Sequence, residues 1–78
     1  MVYHILFNSG GRNYKLKLKK LKDAQIGKLI IHTYFNGGIH CRIIESEPEY
    51  LSEYTNLGRN WMCEIIRSVK KNHVRNGD

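Results

Sequence analysis

A chain of 78 residues, 41% hydrophobic and 26% charged, has the composition of one small folded domain, residues 1–78, and is too short for an enzyme with a separate cofactor-binding half. Thirteen Lys and Arg against seven Asp and Glu leave a net charge of +6, which favours acidic partners or nucleic acid and is silent about the fold. Cys41 and Cys63 cannot build a dense disulfide framework, no basic-then-apolar leader opens the sequence, and the apolar runs are only a few residues long, so a cytoplasmic protein without a membrane span is expected.

Val2 to Phe7 reads V-Y-H-I-L-F, rich in β-branched and aromatic types, and breaks at Asn8-Ser9-Gly10-Gly11. A strand and a turn are predicted. Tyr14 to Lys19 then alternates apolar and cationic residues with period two, which puts Leu16 and Leu18 on one face and the lysines on the other. Matching apolar residues across the hairpin pairs Phe7 with Tyr14, Ile5 with Leu16 and Tyr3 with Leu18, leaving His4 opposite Lys17 on the outer face.

A second hairpin is predicted from about Ile26 to Glu45, turning at Asn36-Gly37-Gly38. A three-residue loop places Phe35 opposite Ile39, Thr33 opposite Cys41 and Ile31 opposite Ile43, with Gly38 left-handed and His32 facing Arg42 on the reverse side. Ser46-Glu47-Pro48-Glu49 has the form of a capping box with proline in the first turn, which predicts a short helix carrying Tyr50, Leu51 and Tyr54 and ending near Asn56-Leu57-Gly58. A longer C-terminal helix follows, with Met62, Ile65, Ile66 and Val69 repeating at three- and four-residue steps and Arg67, Lys70, Lys71 and Arg75 near its end. The expected fold is therefore α+β: a four-stranded antiparallel sheet of two β-hairpins, packed on one face by a short and a longer helix. Unpaired sheet edges are a route to a homodimer or to strand addition onto a partner, which charged edge residues oppose.

No catalytic residues, metal site or cofactor are expected. Nucleophilic catalysis needs a nucleophile, base and orienting group held together, and neither cysteine nor any serine sits in such a motif; Cys41 reads as a small buried hydrophobe. His40 and Cys41 are adjacent on a strand and face opposite sides, so they do not share a zinc ion. Glu49 and Glu53 are four apart, but helix capping already accounts for Glu49. Gly10-Gly11 and Gly37-Gly38 lie in hairpin turns, unlike phosphate-binding loops that lead from strand to helix.

The basic surface is the feature that points to function. Lys15, Lys17 and Lys19 alternate on one strand, and Lys28, His32, Tyr34, His40 and Arg42 share the expected outward face of the second hairpin, giving one candidate partner-binding surface. A protein partner would use Tyr and Arg as anchors within a polar rim. A nucleic acid would use the same cations on phosphates and the rings for stacking.

Strands through Tyr14, the Asn36-Gly37 turn, Arg42 leading to Ser46, and Leu57-Gly58-Arg59 opening the last helix together give a layout that resembles the small phage-encoded anti-CRISPR proteins. The resemblance implies a non-enzymatic inhibitor whose partner is a protein complex of the bacterial host, an RNA-guided surveillance complex. A nucleic-acid-binding accessory protein is the alternative.

Overall fold

The first hairpin forms in the expected register. In the computed structural model, which describes residues 2–45 and 51–75, β1 (Tyr3–Ser9) and β2 (Arg12–Leu18) pair antiparallel, with Tyr3 opposite Leu18, Ile5 opposite Leu16 and Phe7 opposite Tyr14. Gly10 and Gly11 close it with φ of +62° and +80°, the double positive-φ turn that matches the twist of the two strands.

The second hairpin does not form. Leu21–Tyr34 is a helix, α1, so the expected pairings of Ile31 with Ile43, Thr33 with Cys41 and Phe35 with Ile39 are all replaced. The physical reason lies in which residues are buried. Ala24, Gly27 and Ile31 fall at three- and four-residue steps and face the sheet, while Lys28, Leu29 and His32 point to solvent. Gly27 makes the close approach possible: a Cβ there would come 2.8 Å from Ile5 Cδ1 and 3.4 Å from Leu18 Cδ1. Asn36-Gly37-Gly38 is still a turn, but it ends the helix. Asn36 at φ 55° and Gly37 at φ 77° take the left-handed conformation, and Gly38 does not.

After that turn β3 (Cys41–Glu45) pairs antiparallel with the other side of β1, setting Ile43 opposite Ile5 and Cys41 opposite Phe7. β4 (Thr55–Asn56) pairs parallel with β2, so the sheet has the order β3-β1-β2-β4 and is mixed rather than purely antiparallel. The expected cap at Ser46 and Glu49 lies outside the described residues. From the short helix predicted to follow it, Leu51 to Tyr54 form a turn in which the Tyr54 N–H donates to the Leu51 carbonyl at 3.0 Å. α2 (Arg59–Arg75) is the longer helix foreseen, burying Ile65 and Val69 and half-burying Met62 and Ile66.

The sheet has two unlike faces. Ile5, Phe7, Leu16 and Leu18 meet Ala24 and Ile31 of α1 and Ile65 and Val69 of α2 in the main core. α1 and α2 run antiparallel, since Tyr34 lies against Trp61 at one end while Gly27 approaches Ile65 further along. On the opposite face the alternation of β1 presents His4 and Leu6, both buried, between Lys15 and Lys17 of β2 and Arg42 and Ile44 of β3. Leu51 and Tyr54, ahead of β4, lie on this second face: Lys15 Nζ donates to the Leu51 carbonyl at 3.2 Å, Arg42 Nη2 donates to Tyr54 Oη at 3.4 Å, and Leu51 is buried. Among the described residues no helix is long and apolar enough to cross a membrane.

Candidate functional site

The structure divides the eight residues expected to form one basic face. Lys15, Lys17 and Arg42 do share the sheet face away from the helices, with His40 at its rim beside a shallow depression that Arg42, Asn13 and Tyr54 also line. Lys19 sits in the bend after β2. Lys28 and His32 stand on α1, on the other side of the sheet, and Tyr34 is the last residue of that helix. The cause is the strand-for-helix exchange over residues 21–34: alternation with period two, on which the shared face depended, does not apply to a helix. The face that remains is also partly occupied, because Lys15 and Arg42 hold Leu51 and Tyr54 against it.

His4 lies in the floor of that face. Burial, and then the nearby charges of Lys15 and Lys17, lower its pKa from the ordinary 6.5. A histidine whose folded pKa is depressed binds its proton more readily in the unfolded chain, so the stability it contributes is complete above about pH 6.5 and is lost as the pH falls below it. Thermal melts between pH 8 and pH 5 should therefore show the wild type losing stability below pH 6.5 more steeply than His4→Gln, and equal slopes would remove His4 as a cause.

His32 is exposed on α1 and bonds the backbone. Its Nδ1–H donates to the Ile39 carbonyl at 3.3 Å, pinning the end of α1 to the segment that leads into β3. Cys41 sits half-buried on the core side of β3, where burial raises its thiol pKa and the charge of Lys28 partly opposes the rise; a protonated thiol is a poor nucleophile. Cys63 is exposed on α2. Among the described residues no three His, Cys, Asp or Glu side chains come together as metal ligands.

Another concavity lies at the end of the molecule where β1 leaves the sheet, α1 stops and α2 begins. Phe7 and Tyr14, paired across the first hairpin, stack at 5.5 Å with their planes 28° apart. Phe35 lies 6.3 Å from Phe7 and 5.6 Å from Trp61, and Tyr34 meets Trp61 edge to face at 4.6 Å and Phe35 at 5.1 Å. These rings line a groove of about 600 Å³, rimmed by Ser9, Arg12, Thr55 and Asn56. Tyr34 is 64% exposed, an unusual position for a large ring that is already in contact with two others. Leu57 is held beside β2 by its N–H donating to the Lys15 carbonyl at 3.0 Å, and Gly58, unencumbered by a Cβ, leaves the groove wall open where α2 starts.

Of this site the sequence indicates Tyr34, as an exposed anchor, and the pairing of Phe7 with Tyr14. Phe35, Trp61 and Arg12 carry no local signal; only the antiparallel packing of α1 on α2 and the hairpin turn bring them together. No family model, no curated protein and no solved structure matches the chain.

Proposed function

We propose that the protein is a non-enzymatic binding protein, and that its partner is another protein which inserts an apolar anchor, flanked by acidic residues, into the aromatic groove. The observation that carries this is the arrangement of Phe7, Tyr14, Tyr34, Phe35 and Trp61 around one open concavity with a polar rim containing Arg12. An aromatic centre surrounded by polar groups is the usual anatomy of a protein interface, and Tyr, Trp and Arg are its commonest energetic anchors. The net charge of +6 steers an acidic partner towards it.

The ring geometry favours a protein over a single-stranded nucleic acid. Bases stack on ring faces that stand free beside phosphate-binding cations. Here Tyr34 stands edge to face with Trp61 and Phe35, at 69° and 76°, rather than in a row of parallel ring faces, and among the described residues Arg12 is the one Lys or Arg lining the groove. The likeness in layout to the phage anti-CRISPR proteins makes a bacterial RNA-guided surveillance complex the first partner to test, with the protein acting as a phage inhibitor of it.

The test is capture of partners from a nuclease-treated bacterial lysate, followed by titration of the isolated partner. A protein set that survives nuclease, with affinity weakened by Arg12→Glu and falling only modestly between low and moderate salt, is the expected result. Capture lost with nucleic acid, and log affinity falling steeply with log salt, would replace this function with nucleic-acid binding.

A further inference from the structure

β3 is an outer strand of the sheet, and its side away from β1 has no strand beside it among the described residues. A strand rich in β-branched residues with a free edge is a template for another strand. Beside it, on the helix side, Ile43 forms the floor of a groove whose other wall is Gln25, Lys28, Leu29 and His32 of α1. Leu29 is 65% exposed, the most exposed large apolar side chain among the described residues, and it stands over this edge rather than over the aromatic groove. The backbone groups of Cys41, Ile43 and Glu45, which turn away from β1, and an isolated leucine beside a half-buried isoleucine thus make one continuous strip, uncovered among the described residues.

We infer that this strip is a homodimer interface, in which β3 pairs antiparallel with β3 of a second copy about a two-fold axis at Ile43. The register follows from the residues themselves. In a continuous sheet directly opposed residues share a face, so side chains on the helix side (Cys41, Ile43, Glu45) must meet one another, as must those on the other side (Arg42, Ile44). Centring the axis on Arg42 would oppose two arginines, and centring it on Ile44 would press Glu45 against Ile43. Centring it on Ile43 instead opposes the two isoleucines, lays each Arg42 beside the partner's Ile44, and sets each Cys41 opposite the partner's Glu45.

Charge selects the same register. Lys28 lines the groove over Ile43, two residues from Cys41 on the same face of β3, so the partner's Glu45, arriving opposite Cys41, comes beside Lys28, and the two-fold axis makes this pair twice. The two Leu29 side chains then cover the central isoleucine pair. The net charge of each copy opposes association at low ionic strength, but at physiological salt the screening length of about 8 Å removes most repulsion between distant lysines and leaves the close pairs. The interface is independent of the aromatic groove.

Sedimentation equilibrium of the full chain across the micromolar range at physiological salt tests the inference, with circular dichroism to verify folding. The wild type should move from monomer to dimer. Leu29→Asp, at an exposed position, should keep the fold and remain monomeric; Lys28→Glu and Glu45→Lys should each weaken the dimer about tenfold or more, and the double reversal should restore it because the pairs re-form with signs exchanged. A wild type that stays monomeric overturns the inference. So does a dimer that persists in Leu29→Asp, and a double reversal that fails to restore association overturns the register.

Discussion

Ile5→Ala should lower the stability of the fold by about 2–5 kcal/mol, a large fraction of the roughly 4–12 kcal/mol expected for a domain of this size. Ile5 is fully buried in β1, an inner strand of the sheet, opposite Leu16 in β2 and Ile43 in β3. Its Cδ1 also fills the space left by the missing side chain of Gly27, so truncation opens a cavity between the helix and sheet layers that neither can close without moving. Denaturant midpoints measure the loss, and one below 1 kcal/mol would mean that the two layers do not meet where Ile5 and Gly27 place them.

A double-mutant cycle sharpens this. Gly27→Ala should gain about 0.5–1 kcal/mol of helix propensity, but in the wild type the new Cβ comes 2.8 Å from Ile5 Cδ1, closer than atoms rest. Ile5→Val deletes that carbon and by itself costs about 0.5–1.5 kcal/mol. Gly27→Ala should therefore be more favourable in the Ile5→Val background by on the order of 1 kcal/mol, and strictly additive effects would contradict the contact.

The same contact explains what the sequence conceals. β1 announces itself by its β-branched and aromatic residues, β2 by its period-two alternation, and α2 by Met62, Ile65, Ile66 and Val69, large apolar residues at helical spacing. α1 buries Ala24 and Gly27, whose hydrophobic signal is faint, while its exposed face carries Leu29. Leu29 to Phe35 is then a run of β-branched and aromatic residues that local propensity assigns to a strand, and tertiary packing overrides it. β4 is two residues long and pairs parallel with a distant strand, so no local pattern could reveal it. The candidate site inherits this: Tyr34 is legible as an exposed ring, yet its companions depend on where the helix puts it, and Arg42, expected on the same face, lies across the sheet bonded to Tyr54.

That separation permits a decisive comparison of two single variants. Tyr34→Ala should weaken binding of the isolated protein partner by about 30- to 100-fold, or roughly 2–3 kcal/mol, the range of an interface anchor. The ring is the most accessible of the groove, so the partner covers it, whereas half-buried Trp61 would confound binding with folding if it were truncated. Losing the edge-to-face contacts with Trp61 and Phe35 should cost the fold only about 0.5–1.5 kcal/mol. Tyr34→Phe keeps the ring and should retain most of the affinity. Arg42→Ala removes a bond to Tyr54 on the opposite side of the sheet and should leave the affinity unchanged. If instead Arg42→Ala weakens the complex and Tyr34→Ala does not, the partner sits on the sheet face where Leu51 and Tyr54 lie, and the aromatic groove is not its site.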